Sequence, residues 1–478
     1  MLFNTIDFAI FLPIVFILYW SVFKNNLKIQ NFFIVGVSYL FYGWWDWRFL
    51  SLILISTVVD FIVGLKLSTQ ENRKQRKFLL WISIIVNLGF LGFFKYYNFF
   101  LDNFIISFSF FGVSINANNL DIVLPIGISF YTFQTMSYTI DLYYKRLSAT
   151  KDFIAFSAFV SFFPQLVAGP IERARNFLPQ FFKKRTFDYE KAVDGLRQIL
   201  WGLFKKIVIA DNCAIYVDKI FANTSDYSGS TLVVGMFLFA VQIYGDFSGY
   251  SDIAIGTARL FGFKLMQNFA FPQFSRDVGE FWRRWHISLS SWFRDYLYVP
   301  LGGSKGNILI KARNVFLIFV ITGFWHGAKW TFIVWGTLNA IIFSLLMLQN
   351  KNKLSLKIIA KDKKLPSITD ILSITKTMLI IMFTGIFFRV TSIEHAISYI
   401  LGIFSSSLFS FPEVLPKKLL ITILIFIGIE WFGRENKHAL ENFGLNWIKP
   451  LRWSFYYLIV ICIILFAGKQ QTFIYFQF

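Results

Sequence analysis

Two of the four histidines in the chain lie in segments that could carry acid–base chemistry. His326 lies in the sequence ITGFWHGAKW (321–330), between two apolar runs. An ionisable side chain at membrane depth is costly, which makes it a functional candidate by default. Histidine is also the usual general base near neutral pH, because its unperturbed pKa is about 6.5. The sequence therefore predicts a general base at His326, with a histidine that only bonds a backbone carbonyl as the alternative.

His286 lies in a segment rich in tryptophan and arginine, EFWRRWHISLSSWFRDYLY (280–298). Its apolar residues recur at helical spacing, and Arg283, Arg284 and Arg294 fall on the other side. This pattern predicts one amphipathic helix that lies in the membrane interface. Membrane docking alone and a roof over a reaction chamber are both compatible with it.

A third polar segment, IYGDFSGYSD (243–252), interrupts an apolar run with two carboxylates, two serines and two glycines. This polar, glycine-rich break in the apolar run lies near the end of a predicted span, so its buried polar groups need partners. Asp246 and Asp252 either pair with arginines such as Arg283 or Arg284 in a structural network, or contact a substrate. His395 and His438 lie in short or charged segments, so solvated positions are expected for both.

Covalent serine catalysis has no support, because the chain contains no Gly-x-Ser-x-Gly elbow. Cys213 and Cys462 are the only cysteines and lie far apart, which argues against a disulfide framework and a cysteine metal site. No metal site is expected. The remaining chemistry is base catalysis, in which histidine deprotonates a hydroxyl that attacks an activated acyl group.

The elements that position these residues must cross a lipid bilayer. Of 478 residues, 56% are apolar, only 15% are charged and 62 are phenylalanine, and the mean hydropathy is +0.57. A soluble protein of this composition could not cover its surface with polar groups. The net charge of +20 sits in short runs between apolar segments, which fits the positive-inside bias rather than nucleic-acid binding. The first apolar stretch, 6–23, is expected to be a retained span.

About ten to twelve transmembrane helices are predicted, together with re-entrant and interfacial pieces. The apolar stretches fall at 6–23, 29–45, 48–67, 78–100, 122–144, 153–169, 195–215, 229–247, 314–326, 330–348, 371–390, 395–410, 417–433 and 451–468. The shortest of them predict half-spanning segments, and 153–169 is expected to enter and leave on one side.

Charge placement predicts the orientation. The basic loops 24–28 and 68–77 are expected in the cytoplasm, with the N-terminus outside, because the loop 101–121 carries no Lys or Arg. The basic segments 259–313 and 350–364 are also expected in the cytoplasm. The stretch between them must then be a hairpin, with His326 near its turn.

Several long motifs, in one order, resemble the membrane-bound O-acyltransferase (MBOAT) superfamily, and within it most closely the alginate O-acetyltransferase branch. They are FWRRWHISLSSWFRDY (281–296), GFWHGA (323–328), PIGISFYTFQ (125–134), FPQLVAGPIE (163–172), IYGDFSGYSD (243–252) and FIYFQF (473–478). The resemblance covers essentially the whole chain.

The resemblance implies an all-α MBOAT fold over a single domain, 1–478, with tilted helices around a central funnel. It implies that His326 is the base and that His286 is a second, positioning histidine. Trp325 and Asp246 are then candidate substrate contacts. No bound cofactor is expected, and acetyl-CoA or another acyl thioester would be the co-substrate.

The implied activity moves an acyl group, expected to be acetyl, across a bacterial cytoplasmic (inner) membrane to O-acetylate an envelope polysaccharide. The expected partners are the lipid bilayer, a polysaccharide acceptor and a periplasmic, esterase-like acyltransferase, with no nucleic acid. Alginate-type acetylation, peptidoglycan O-acetylation and D-alanyl transfer to teichoic acid all stay open. A transporter of a polysaccharide precursor, with histidines for proton coupling, is the alternative from another class.

Overall fold

The computed structural model describes residues 1–167, 169–349, 358–468 and 471–474. Within these ranges the regular structure is helical and contains no β-strand. The chain divides into two compact units, residues 1–189 with 258–265 and residues 190–257 with 266–478. The predicted all-α fold is confirmed, and the single-domain organisation stays a prediction.

The first unit contains a series of apolar helices. They are α1 (Ile6–Ser21), α2 (Leu27–Asp46), α3 (Leu50–Thr69), α4 (Arg73–Leu91), α5 (Tyr97–Phe110), α6 (Ile128–Tyr143), α7 (Phe153–Ser161), α8 (Phe163–Leu166) and α9 (Ala174–Phe177). Phenylalanines fill much of its core; the ring of Phe163 lies 5.4 Å from that of Phe11 and 5.5 Å from that of Phe41. Edge-to-face and tilted ring contacts of this kind fix the packing of α8 against α1 and α2.

The second unit holds both candidate histidines. Its helices are α10 (Tyr189–Leu203), α11 (Asp211–Ala222), α12 (Gly229–Leu260), α13 (Val278–Arg284), α14 (Ile287–Phe293), α15 (Ile308–His326), α16 (Trp330–Leu348), α17 (Ile368–Arg389), α18 (Ile393–Ile403), α19 (Lys417–Gly433) and α20 (Lys449–Leu465). π-Helical turns occur at Gly92–Tyr96, Phe204–Ala210 and Arg294–Tyr298.

Six helical ranges of the described chain are long and apolar enough to cross a membrane. They are Leu27–Thr69, Arg73–Phe110, Gly229–Leu260, Ile308–His326, Trp330–Leu348 and Ile368–Arg389. The protein is therefore a multi-pass membrane protein. The sequence estimate of ten to twelve spans also counts shorter apolar helices such as α1 and α18, and the orientation stays a prediction.

The segment predicted to be re-entrant, 153–169, contains two short helices. α7 has nine residues and ends at Ser161, and the four-residue helix α8 follows after Phe162. Nine residues rise about 14 Å, which is less than half of the roughly 30 Å hydrocarbon core. α7 alone is thus too short to cross; Ala168 lies outside the described residues.

The helices differ in continuity from what their sequence patterns indicate at two places. The polar segment 243–252 lies inside the 32-residue α12, which continues past the end of the apolar stretch 229–247. Its glycines serve packing, since a Cβ at Gly249 would stand 2.8 Å from the carbonyl oxygen of Gly202 on α10. Conversely, the segment 281–298 is not one helix, because α13 ends at Arg284 and α14 begins at Ile287.

The predicted hairpin around His326 is present as α15 and α16. His326 is the last residue of α15, and α16 begins four residues later. The two helices approach closely, because a Cβ at Gly323 would stand 2.2 Å from the carbonyl oxygen of Phe332. The side chain of Asn307 caps the start of α15 by accepting a bond from the amide of Ile310, 3.0 Å long.

The loop after this hairpin is described only in part. Residues 350–357, which include three lysines of the predicted basic loop 350–364, lie outside the described residues. α17 begins after it with a capping box, in which Ser367 and Asp370 exchange side-chain and backbone hydrogen bonds.

Candidate active site

His326 is buried, with 4% of its surface exposed. Aromatic side chains from three helices surround it. Its ring centroid lies 5.1 Å from Trp325 of α15, 5.4 Å from Trp335 of α16 and 5.0 Å from Phe388 of α17. The last two contacts are edge-to-face. Such contacts hold the imidazole in one orientation without adding a charge near it.

His326 lines two cavities formed by the described residues. One has a volume of about 450 Å³ and the other of about 200 Å³. Trp282, Trp285 and His326 line both of them. The imidazole therefore lies in a wall that two separate spaces share, which is what a group acting between two substrates requires.

The larger cavity is almost entirely apolar. α12, α17 and α19 supply most of its lining, including Phe239, Met378, Met382 and Phe426. Tyr244 and Gln273 add polar atoms at its edge. An apolar chain or a small uncharged group fits this chemistry better than a charged one.

The smaller cavity contains the second histidine. His286 and His326 both line it, together with polar side chains of Arg283, Ser290 and Thr322. The structure thus brings together the two histidines that the sequence singled out. It does so although 40 residues separate them along the chain.

His286 lies at the break between α13 and α14, with a left-handed backbone (φ = 44°). The Oδ1 atom of Asn268 accepts hydrogen bonds from His286 Nδ1 at 3.0 Å and from Ser288 Oγ at 2.9 Å. The Nδ2 atom of Asn268 donates to Ser251 Oγ at 3.0 Å. Because Oδ1 can only accept, Nδ1 of His286 carries the proton and Nε2 carries the lone pair.

His286 is neutral. It is 2% exposed, and burial lowers its pKa to about 3. The ring of Phe247 packs against it edge-to-face, with centroids 4.6 Å apart. A neutral imidazole in a fixed tautomer can accept or position a hydrogen bond, which agrees with the predicted positioning role.

Trp325 lies between the two histidines. Its ring centroid is 6.2 Å from that of His286 and 5.1 Å from that of His326, and its side chain is buried. It therefore packs both imidazoles, and substrate contact by Trp325 stays a prediction.

The carboxylate of Asp246 forms its ion pair and hydrogen bond elsewhere in the second unit, with partners other than the two histidines. Its Oδ1 lies 2.8 Å from Lys206 Nζ, and its Oδ2 accepts from the backbone amide of Ile474 at 2.8 Å. Asp252 pairs with Lys205 at 2.5 Å. The expected arginine partners are thus wrong, and two lysines of a π-helical turn replace them. This geometry favours the structural network over substrate contact, which for Asp246 stays a prediction.

The other two histidines, His438 and His395, were both expected to be solvated, and the structure places them differently. His438 is buried rather than solvated, and its Nε2 lies 2.9 Å from Asp194 Oδ1. The expectation was wrong because a charged loop folds onto α10. His395 is half-buried, with Nε2 3.0 Å from Thr224 Oγ1.

Sequence reasoning missed several residues of the site. Asn268 has no motif around it, and its role appears only once it meets His286. Glu430, on the apolar α19, accepts hydrogen bonds from Trp201 at 2.6 Å and from Tyr244 at 2.7 Å. A lone carboxylate within an apolar run was the available signal for Glu430. No group of three or more His, Cys, Asp or Glu residues that could hold a metal ion is found in the described part of the chain.

Comparison with known proteins decides the family. The sequence profile of the "MBOAT, membrane-bound O-acyltransferase family" matches residues 136–357, which include both histidines. The chain is 33% identical over 492 residues to the "Probable alginate O-acetylase AlgI" of Pseudomonas putida, and the match covers 98% of each chain. This protein belongs to the membrane-bound O-acyltransferase family.

Of two further relatives, one has the same name as the Pseudomonas putida protein and the other has a different name. The chain is 42% identical over 328 residues to "Probable alginate O-acetylase AlgI" of Azotobacter vinelandii, a match that spans 68% of this chain and 64% of that protein. It is 33% identical over 529 residues to "Peptidoglycan O-acetyltransferase" of Helicobacter pylori, covering 100% and 98% of the two chains. The chain is therefore similar, over its full length, to relatives whose names give different acceptors.

Proposed function

We propose that this protein is an O-acyltransferase in which His326 is the general base. The observation that carries the proposal is the position of His326 in the wall common to two cavities. A base placed there can take a proton from a hydroxyl in one space while the acyl donor occupies the other. Membership of the MBOAT family supports the same reaction class.

The reaction runs without a covalent protein intermediate in this proposal. His326 accepts the hydroxyl proton as the hydroxyl oxygen attacks the carbonyl carbon of an acyl thioester. The carbon–sulfur bond then breaks, and the leaving thiolate takes the proton back from His326. His286, held neutral by its burial and fixed in one tautomer by Asn268, orients the reacting groups.

The proposed donor is acetyl-CoA or another acyl thioester, and the proposed acceptor is a hydroxyl destined for an envelope polysaccharide. Alginate-type O-acetylation is favoured by the relatives from Azotobacter and Pseudomonas. Peptidoglycan O-acetylation is the second candidate, because the relative from Helicobacter pylori matches over the full chain. D-Alanyl transfer to teichoic acid is a further family alternative.

We place the protein in the bacterial cytoplasmic membrane. The donor would enter from the cytoplasm, whose side the basic loops are predicted to face. Delivery to the polymer would use a periplasmic, esterase-like partner, because no soluble catalytic unit is evident in the sequence.

The decisive experiment replaces His326 with alanine in the source bacterium and measures two quantities. One is the O-acetyl ester content of each envelope polymer, and the other is the amount of polymer exported. We expect the ester content of one polymer to fall to background while export stays normal. The polymer that loses its esters identifies the acceptor.

The matched control is His395→Ala, because His395 bonds Thr224 and lines neither cavity. It should leave both quantities unchanged. Loss of export with intact acylation in His326→Ala would instead establish the precursor transporter and refute the acyltransferase.

A further inference from the structure

Two adjacent arginines of α13 differ in their bonding. Arg284 uses all three guanidinium nitrogens: Nε and Nη2 donate to Glu280 at 3.1 and 2.8 Å, and Nη1 donates to the carbonyl of Ala270 at 3.1 Å. Arg276 also binds Glu280, at 3.0 and 3.1 Å. Both oxygens of the Glu280 carboxylate are thus already occupied.

Arg283 has no equivalent partner. Its Nε and Nη2 atoms are buried, and no acceptor among the described residues lies within hydrogen-bond distance of either. A buried charged donor without an acceptor costs more than an ordinary missing hydrogen bond. No contact within the described protein offsets the free-energy cost of these missing hydrogen bonds. We therefore look to a ligand for the acceptor.

Arg283 lines the smaller cavity, which His286 and His326 also line. Gly279 makes room for its guanidinium, because a Cβ there would stand 3.3 Å from Arg283 Nη1. Trp282 lines the same cavity, and its indole Nε1 is likewise buried without an acceptor in the described ranges. Two residues in the lining that both histidines share therefore carry buried donors without an acceptor among the described residues.

The charge of Arg283 persists at physiological pH. Burial lowers its pKa to about 10, against a smaller opposing effect of Asp277 and Glu280. The guanidinium therefore remains a cation at neutral pH, in a small space without a paired carboxylate. Such a group stabilises negative charge that develops during a reaction more strongly than it would in water.

We propose that Arg283 stabilises the oxyanion that forms when the thioester carbonyl in the smaller cavity is attacked. The inference rests on the proposed acyl transfer. As the hydroxyl oxygen bonds to the carbonyl carbon, the electron pair of the C=O bond moves onto oxygen and the hydroxyl proton moves to His326. Arg283 donates hydrogen bonds to that oxygen, with Trp282 Nε1 as the neighbouring donor. When the C=O bond re-forms, the carbon–sulfur bond breaks and the thiolate takes the proton from His326.

The test uses membrane vesicles that contain the full chain and its native envelope acceptor, with radiolabelled acetyl-CoA as the donor. The maximal rate and the half-saturating acetyl-CoA concentration are measured for wild type, Arg283→Gln and Arg283→Lys. We expect Arg283→Gln to lower the maximal rate by roughly 10²–10³-fold, as for loss of one oxyanion donor. The half-saturating concentration should change less than about threefold, because the interaction exists only in the transition state.

Arg283→Lys and one further variant, Arg283→Ala, separate this role from a structural one. Arg283→Lys should recover part of the rate, and millimolar guanidinium should raise the rate of Arg283→Ala but not that of wild type. The control is Arg452→Gln, since Arg452 donates to the carbonyl of Leu445 and lines neither cavity. Its maximal rate should match that of wild type.

An unchanged maximal rate in Arg283→Gln, or a higher half-saturating concentration at an unchanged maximal rate, would overturn the inference. Either result leaves the proposed function intact, provided that wild type still transfers acetyl groups in a manner that depends on His326. Absence of any transfer that depends on His326 would refute the proposed function itself.

Discussion

Asn268 fixes the tautomer of His286 through a hydrogen bond of 3.0 Å between its Oδ1 atom and the imidazole Nδ1. Asn268 has no freedom to rotate its amide, because its Nδ2 donates to Ser251. The imidazole therefore keeps its lone pair on Nε2. An asparagine at this position, rather than a carboxylate, also leaves the histidine without a stabilising negative charge.

The first prediction follows from this pair and concerns Asn268→Asp. In wild type, burial lowers the pKa of His286 to about 3, so the ring stays neutral at every ordinary assay pH. A carboxylate beside Nδ1 favours the imidazolium and raises the pKa toward the usual value of about 6.5. Protonation removes the Nε2 lone pair. We therefore expect the pH–rate profile of Asn268→Asp to gain an acidic limb, with acetyl transfer falling as the pH drops through about 6, in addition to any limb that the base His326 gives in wild type.

The double variant Asn268→Asp, His286→Gln is the control. It cannot titrate at position 286, so the new acidic limb should vanish whatever its residual rate. An acidic limb that persists in the double variant would assign the titration to another group and contradict the proposed neutrality of His286.

The second prediction concerns the close approach of α15 and α16. A Cβ at Gly336 would stand 2.4 Å from the carbonyl oxygen of Phe319, a backbone atom that moves only with its helix. Gly336→Ala should force the helices apart, at a cost of about 1–3 kcal/mol, typical of overpacking. Because His326 ends α15, we expect lower thermal stability and reduced acetyl transfer together.

Gly36→Ala is the matched control, since Gly36 lies inside α2 and a Cβ there would meet nothing within 4 Å. It should raise stability slightly, by up to about 1 kcal/mol, through better helix propensity. Thermal unfolding in one detergent compares the two variants. Equal melting temperatures for Gly336→Ala and wild type would show that the contact is not tight.

The hairpin was predictable because its signals are local. Two apolar runs flank the glycines beside His326, and basic segments lie on both sides of the pair. The two histidines also lie in motifs that resemble the same family, which indicated that they share a site. Their common cavity then required only that α13, α14 and α15 meet.

The break at His286 was not predictable from periodicity. Residues 281–298 keep helical spacing, yet the backbone of His286 turns left-handed. The amide of Ile287 is bonded to the carbonyl of Asn268 at 2.9 Å, in place of a helical partner. A residue 18 positions earlier in the sequence thus determines the break, and no local pattern records that contact.

Ion-pair partners were equally non-local. The sequence offered many arginines for Asp246, and Lys206 was selected by the close packing of α12 against the π-helical turn Phe204–Ala210. The same reason explains His438, whose charged loop suggested solvent but whose partner Asp194 lies on α10. In such chains the distribution of basic residues predicts which side of the membrane a loop faces. The ion-pair partner of a given residue depends instead on how the helices pack.

The last prediction tests the larger cavity with Gly385→Leu. Gly385 of α17 lines this cavity, and a Cβ there would meet only one atom within 4 Å, the Cε1 of Phe239 at 3.9 Å. The leucine side chain can therefore enter the cavity without displacing backbone. It should fill part of the ~450 Å³ and bury new apolar surface, so thermal stability should stay equal or rise. If substrate or its apolar carrier occupies this space, the acetyl-transfer rate should fall at least tenfold while the protein stays folded.

Gly428→Leu is the matched control, because Gly428 of α19 has nothing within 4 Å of its Cβ position and does not line the cavity. It should change neither the rate nor the melting temperature appreciably. The combination of unchanged stability and lost activity in Gly385→Leu cannot arise from misfolding. A full rate in Gly385→Leu would instead show that the reaction does not pass through this cavity, and would direct attention to the smaller cavity, which His286 and Arg283 line.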